Sequence, residues 1–175
     1  TVQKQPMQEE EIWSDTKIAL EQALQRFIAM RETEGEKLRQ DVLSRLQTIT
    51  QHLTVVEAEA PMMQQNYYDR LYQKLQTLLE DQSIDAQRLV TEAAVFSEKV
   101  AIDEETVRLR SHLQQCADLL EAKEPVGRKL DFLVQEMNRE VNTIGSKAQN
   151  LSITQLVVEM KSEIEKIREQ IQNIE

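Results

Sequence analysis

Residues that turn a polypeptide chain are scarce in this sequence, and this scarcity restricts its fold more than any other feature. Three Gly and three Pro are spread over 175 residues, and 4% of the residues are aromatic. Strands favour aromatic and β-branched residues, and the turns between strands need Gly and Pro, so a sheet protein is disfavoured. Abundant Leu, Gln, Glu, Ala, Lys and Arg favour helices instead. The sequence therefore predicts an all-α fold built from long helices.

The first half of the chain predicts a long helical hairpin. From Val42 to Ala60 apolar residues recur at alternating steps of four and three, the spacing of a coiled-coil seam. The same steps return after Pro61, from Tyr68 to Leu78. Because proline disfavours the continuation of a helix, we expect a turn at Pro61 that folds the second helix back on the first. The predicted structure is an antiparallel, coiled-coil-like arm.

The second half predicts a small helical bundle, so we divide the chain into 1–82 (tail and hairpin arm) and 83–175 (bundle). Ile84-Asp85 and Ile102-Asp103 are two copies of one helix-start signal. Asp can cap the first turn, and the preceding Ile can pack against Leu89 or Val107. The predicted helices of this half span 86–99, 104–123, 128–145 and 153–174.

The segment 125–148 is the most strongly patterned helix of the bundle. Gly145 is predicted to end it, and Ser152 is predicted to cap the next helix. Its polar face mixes Asn, Arg, Glu and Gln, whereas its other face is apolar. The apolar face comprises Leu130, Leu133, Val134, Met137, Val141 and Ile144.

Charge and cysteine content exclude several classes of protein. The net charge is −10, with 14 Lys/Arg against 23 Asp/Glu in 1–124 and 7 against 8 in 125–175. General nucleic-acid affinity is therefore not expected from composition, although a local site is compatible with it. The single Cys116 excludes an internal disulfide and a cysteine-rich zinc site, and it suits a cytoplasmic setting. No apolar run approaches the roughly 18–20 residues of a membrane span, and no small organic cofactor is expected.

His112 is the centre of the candidate chemistry. Glu105 lies seven residues before it on the same helical face, and Glu98 and Asp103 flank the preceding helix joint. A histidine with two or three carboxylates is a ligand set that suits Mg²⁺ or Mn²⁺. The alternative is a hydrogen-bonded structural histidine. The other histidine, His52, is interpreted as a surface residue.

Glu136 and Glu140 form a second acidic pair at the i,i+4 spacing, and they are the second choice as metal ligands. Like charges at this spacing slightly destabilise an isolated helix. If the last two helices are antiparallel, this pair can face a second acidic pair, Glu159 and Glu163, and a metal ion or an arginine would then have to compensate the charges. The alternative is that the pair is solvated or bridged by Arg139. No aromatic platform for stacking RNA bases is identified in the sequence.

Three segments resemble the YicC family of bacterial stress-associated proteins. They are AVFSEKVAIDEETVRLRSHL at 94–113, PVGRKLDFLVQEMNREVNTIGSKA at 125–148 and VVEMKSEIEKIREQIQNIE at 157–175. The run RETEGEKLRQDVLSRL at 31–46 is also similar to that family. The likeness covers the chain from about residue 15 to its end, and 125–175 matches almost continuously.

The resemblance implies a divalent-metal-dependent endoribonuclease that assembles as a cytoplasmic homo-oligomer, with a hexamer as the expected form. The resemblance also implies an N-terminal α/β domain, which we expect to be missing from this part of the protein. The activity is therefore expected of a longer parent protein rather than of this part alone. The alternative is a non-catalytic helical module for oligomerisation or an RNA-binding adaptor.

In the favoured hypothesis, His112 and Glu105 are catalytic, and they hold Mn²⁺ or Mg²⁺ together with Glu98 or Asp103. The metal would stabilise charge on the phosphate of the RNA substrate. Basic residues would contact the other phosphates and fix the position of the RNA without reading its sequence. The predicted RNA-binding residues are Arg108, Arg128, Lys129, Arg139 and Lys147.

Overall fold

The regular secondary structure in the described part of the chain is helical. The computed structural model describes residues 9–79, 91, 95, 98–122, 124–148, 150–172 and 174. It contains α1 (Glu9–Leu79), α2 (Asp103–Leu120), α3 (Gly127–Lys147) and α4 (Leu151–Ile171). The predicted all-α class is confirmed. None of the helices in these ranges has a stretch apolar enough to cross a bilayer.

Contacts divide the chain into two compact units within α1, one ending at Gln40 and the other beginning at Asp41. In the first unit, the large apolar side chains between Trp13 and Met30 are at least half exposed. The guanidinium carbon of Arg31 lies 5.8 Å from the centre of the Phe27 ring. The exposed apolar residues of this unit include Trp13, Leu20, Leu24, Phe27 and Ile28.

The predicted turn at Pro61 is wrong, because α1 continues through this residue to Leu79. A proline inside a helix removes one backbone hydrogen bond and costs about 3 kcal/mol. Here Ala60 and Met63, on either side of the exposed Pro61, are both buried in the core. A turn would remove at least one of them from that core, so burial of the stripe outweighs the cost of the proline. The chain therefore does not form an antiparallel hairpin at this position.

The seam of α1 packs into the helical bundle of the second unit. Val42, Leu46, Ile49, Leu53 and Val56 are buried in one apolar core with residues of α2, α3 and α4. An ion pair ties α1 to each of two other helices. Arg45 Nη1 lies 2.9 Å from Glu163 Oε2 on α4, and Arg110 Nη2 on α2 lies 2.6 Å from Glu57 Oε2. The division after residue 82 falls outside the described residues and stays a prediction.

The start of α2 matches the prediction in position but not in detail. The helix begins at Asp103, after the buried Ile102, and its N-cap has no side-chain hydrogen bond. Val107 is 68% exposed, so it does not join the buried Ile102 in the core, and the predicted contact between the two side chains stays a prediction. Thr106 Oγ1 instead donates a hydrogen bond to the carbonyl oxygen of Asp103 at 2.9 Å. The other start signal, Ile84-Asp85, lies outside the described residues.

Cys116 packs inside α2 as predicted. Its side chain is fully buried in the core, and this burial raises the pKa of the thiol to about 12. A thiol in this environment stays protonated and unreactive at neutral pH. Cys116 therefore contributes to packing and not to chemistry.

The helices α3 and α4 form a closely packed pair. All six apolar residues predicted for the stripe of α3 are buried. Gly145 does not end α3, which continues to Lys147; instead, a Cβ atom at Gly145 would lie 2.9 Å from Val157 Cγ1 on α4. The cap of α4 is Asn150 rather than Ser152, because Asn150 Oδ1 accepts a hydrogen bond from the Ser152 amide at 2.8 Å.

Candidate metal centre

The candidate site lies between α2 and α3, which run antiparallel and pack against each other. Their contacts show the register. Lys147, near the end of α3, binds Glu105 near the start of α2. At the opposite end, Leu119 and Leu133 line the same pocket. His112 lies between these two ends, opposite the middle of α3.

The structure groups His112 with the two second-choice carboxylates, Glu136 and Glu140. One nitrogen or oxygen atom from each of the three side chains lies within 4.8 Å of the others. Glu136 and Glu140 share one face of α3 because they are four residues apart, and α2 supplies His112 from the opposite side. Glu140 is buried, whereas His112 and Glu136 are partly buried. Three potential ligands from two helices thus converge at one place.

The chemistry of this cluster fits a divalent ion. Buried polar atoms in folded proteins nearly always have a hydrogen-bond partner. His112 Nδ1 is buried and has none within the described residues. Two carboxylates with one imidazole are a mixed ligand set, in which the oxygens suit Mg²⁺ or Mn²⁺ and the nitrogen suits transition metals. An imidazole with one unpartnered nitrogen, placed beside two carboxylates, is therefore a suitable ligand set for a metal ion.

Arg108 fixes one oxygen of the buried carboxylate in this cluster. Its Nε donates a hydrogen bond to Glu140 Oε1 at 2.9 Å, and Nη2 donates to Glu105 Oε1 at 3.2 Å. The hydrogen bond to Glu140 is the largest cause of the raised pKa of Arg108. Arg108 thus orients Glu140 through Oε1, and this arginine does not occupy the other oxygen, Oε2.

Glu105 is part of an ionic network and not of the His112 cluster. Its side chain is 5% exposed, and its Oε1 accepts a hydrogen bond from Lys147 Nζ at 2.8 Å. Burial alone would raise the pKa of Glu105, but the hydrogen bond from Lys147 and the charges of Lys147 and Arg108 outweigh it and lower that pKa. Glu98 and Asp103 are exposed and lie outside the cluster. The structure therefore brings none of the three first-choice carboxylates to His112.

The predicted RNA-binding residues separate into engaged and exposed cations. Arg108 is engaged by Glu105 and Glu140, and Lys147 Nζ donates to Glu105 and to the Ala101 carbonyl oxygen at 3.0 Å. The side chain of Arg139 is 75% exposed, with Nη1 3.7 Å from Glu136 Oε2. The remaining cations, Arg128 and Lys129, are exposed and line a pocket at the start of α3.

The register of the α2–α3 hairpin is the signal that would have pointed to Glu136 and Glu140. Both helices were predicted, with a break at Glu124-Pro125. An antiparallel pair folded about that break places His112 opposite residues 136–140. Spacing along α2 alone indicated Glu105, because it cannot include carboxylates from a neighbouring helix.

Comparison with known proteins identifies relatives over the whole chain. The family model described as "Endoribonuclease YicC-like, C-terminal" matches residues 56–175. The chain is 43% identical over 175 residues to "Probable endoribonuclease YicC" of Clostridioides difficile (strain 630). It is 38% identical over 174 residues to the protein of the same name from Haemophilus influenzae (strain ATCC 51907 / DSM 11121 / KW20 / Rd). In each case the match covers 99% of this chain and 60% of the relative. The chain therefore belongs to the YicC-like endoribonuclease family and carries its C-terminal part.

Proposed function

We propose that this chain is the C-terminal helical part of a divalent-metal-dependent endoribonuclease, which cleaves phosphodiester bonds in RNA. The names of the relatives support the reaction class. The metal dependence rests on one observation: His112 Nδ1 is buried without a partner among the described residues, in a cluster with Glu136 and Glu140. Family membership and local geometry thus support different parts of the proposal.

The proposed ligands are His112, Glu136 and Glu140, with Mn²⁺ or Mg²⁺ as the ion. When bound, the ion would stabilise negative charge on the scissile phosphate and lower the pKa of an attacking water or ribose hydroxyl. Arg108 positions Glu140 through the hydrogen bond to Oε1. In this proposal Glu105 changes from a catalytic ligand to a support, since it holds Arg108 and Lys147.

Exposed cations near the cluster are proposed to bind the RNA backbone. Arg139 follows Glu136 by one helical turn and extends into solvent, and Arg128 lies at the start of the same helix. Phosphate contacts of this kind fix the position of the strand and make binding dependent on salt. Arg108 and Lys147 are already engaged within the protein, so we propose structural roles for them instead.

The test uses the full-length protein and end-labelled RNA, incubated with Mn²⁺, with Mg²⁺ or with EDTA. We expect cleavage in the presence of the metal ions and none with EDTA. His112→Ala and Glu136→Gln should lower the cleavage rate by roughly 100-fold, because the first removes a metal ligand and the second removes the negative charge of one. Titration of Mn²⁺ into each variant measures metal binding independently of cleavage.

His52→Ala is the matched control, because His52 is the other histidine of the chain and its Nε2 lies 3.4 Å from Glu159 Oε2. It should cleave RNA like the parent. Equal cleavage by His112→Ala and by the parent would contradict the metal assignment. Binding without cleavage would favour an RNA-binding adaptor. Neither binding nor cleavage would favour an oligomerisation module, for which mass in solution is the measurement. We also propose that the full-length protein assembles as a homo-oligomer, with a hexamer as the expected form.

A further inference from the structure

An open pocket of about 570 Å³ lies between α2 and α3, on the side of the candidate metal centre that is nearer to the start of α3. Pockets that bind small organic groups commonly measure about 300–1,000 Å³ and are mostly apolar, with a few polar groups. Leu119 and Leu133 supply apolar lining, and Phe132 supplies an aromatic ring. The pocket therefore has the size and the lining to hold a flat aromatic group.

Phe132 is on the polar face of α3, outside the buried apolar stripe of that helix, and 59% of its surface is exposed. Covering an exposed phenylalanine ring with a ligand is favourable, because it removes apolar surface from water. Phe132 precedes Glu136 by four residues, so both lie on one face of α3, roughly 6 Å apart along the helix axis. A single nucleotide can bridge such a separation. The ring thus lies one nucleotide away from the candidate metal centre.

The charges around the pocket indicate how a nucleotide would be oriented. Arg128 is exposed and has no ion pair within the described ranges, although the chain as a whole carries a charge of −10. Lys129 pairs with the exposed Glu124, and solvent screens such a pair. Asp118 also lines the pocket, and its carboxylate would repel a phosphate placed beside it. A phosphate is therefore favoured at the Arg128 side, and an uncharged base is favoured next to Phe132.

We propose that this pocket binds one nucleobase of single-stranded RNA, next to the scissile phosphate and stacked on the ring of Phe132. Arg128 binds the phosphate of that same nucleotide. Asp118 offers carboxylate oxygens to N–H groups of the base, as acidic side chains do with the amino group of cytosine. Stacking on an aromatic side chain tolerates all four bases because every base has an aromatic face. The proposal rests on the proposed function for the position of the cut.

The experiment measures binding of fluorescein-labelled single-stranded RNA to the full-length protein by anisotropy in EDTA, where no cleavage is expected. Phe132→Ala should weaken binding roughly 5- to 100-fold, the effect of losing one stacked base. Phe132→Tyr should restore it, because tyrosine keeps the ring. In a second measurement, RNA with a single abasic nucleotide beside the mapped cut site should bind the parent more weakly. The same RNA should lose no further affinity for Phe132→Ala.

Phe27→Ala is the matched control, since Phe27 is 50% exposed and also has an arginine near its ring. It should bind RNA like the parent.

Unchanged binding by Phe132→Ala, or equal binding of intact and abasic RNA by the parent, would overturn the pocket assignment. The abasic RNA tests the parent directly and does not depend on the folding of a variant. If the parent cleaves RNA in a metal-dependent way and Phe132→Ala binds RNA like the parent, the base-binding pocket is wrong and the proposed nuclease function stands. If Phe132→Ala binds RNA more weakly and the parent shows no metal-dependent cleavage, the pocket binds RNA but the proposed nuclease function is wrong.

Discussion

At the scale of single residues, Glu105 shows how a carboxylate chosen as a ligand serves as a support. One oxygen, Oε1, accepts hydrogen bonds from both Lys147 and Arg108, whereas Oε2 is buried without a partner among the described residues. Arg108 in turn holds Glu140. A substitution at Glu105 can therefore alter the position of Glu140 in the metal cluster through Arg108, which binds both carboxylates.

We predict that Glu105→Gln lowers the free energy of unfolding by about 1–3 kcal/mol at neutral pH, because charged hydrogen bonds from Lys147 and Arg108 are weakened. The pKa of Glu105 lies below its usual value of 4.5 in the folded protein. Its ionised form therefore stabilises the fold above that value, and this contribution is lost as the pH falls through the folded pKa. The difference between parent and variant should decrease in acid. Urea unfolding at several pH values is the measurement.

Glu104→Gln is the comparison for this prediction. Glu104 also contacts Arg108, at 3.3 Å, but its side chain is 83% exposed. Exposed ion pairs contribute about 0–1 kcal/mol, so this variant should unfold close to the parent. If both variants lost the same stability at neutral pH and showed the same dependence on pH, burial of Glu105 between its two cations would add nothing to the stability of the fold.

At the scale of helices, the periodicity of apolar residues predicts α3 and α4 well. Each stripe lies on one helix and needs no knowledge of its neighbour, and all six stripe residues of α3 are buried. The turn at Pro61 could not be judged in this way, because it depends on how much the core gains when α1 continues. The role of Gly145 is similar, since only the position of Val157 on α4 shows that a side chain does not fit there.

We predict opposite effects for alanine at two helical glycines. Gly145→Ala should lower the free energy of unfolding by about 1–3 kcal/mol, because its Cβ would meet Val157 Cγ1 at 2.9 Å. Gly35→Ala should raise the stability of its helix by about 0.5–1 kcal/mol, because a Cβ there meets nothing within 4 Å. Thermal melting followed by circular dichroism compares the two variants with the parent.

Val157→Ala supplies the rescue for the packing prediction. Combined with Gly145→Ala, it should recover part of the lost stability, because the shortened side chain makes room for the new methyl group. Additive losses in the double variant would contradict a direct contact between the two positions.

At the scale of the whole molecule, the sequence predicts the helices and selects His112, but it does not predict the group around this histidine. The position of His112 relative to Glu105 is readable along one helix. Its position relative to Glu136 and Glu140 depends on the register of two helices. The sequence shows that Phe132 lies outside the apolar stripe of α3, but its proposed role in binding a base depends on the pocket beside it. Patterns along the chain are therefore sufficient to predict the helices, whereas the site can be predicted only from contacts between helices.

We predict that Mn²⁺ stabilises the whole protein through this cluster. A ligand that binds only the folded state, at 100 times its dissociation constant, adds about 2.7 kcal/mol, which corresponds to a rise in Tm of roughly 5–10 °C. EDTA should reverse the rise. His112→Ala should abolish it, whereas His52→Ala should keep it. Differential scanning fluorimetry measures the four cases, and a full rise in His112→Ala would show that the ion binds elsewhere.

The close connection of α2 and α3 along the chain has a consequence for folding. His112 and Glu140 are separated by 28 positions, and the two helices are joined by the short segment between Leu120 and Gly127. Closing so short a loop has a small entropic cost, and contacts between near neighbours in sequence form fast. We therefore expect the metal cluster and the pocket to assemble as one local event. The cluster and the pocket can then form before distant segments of the chain meet.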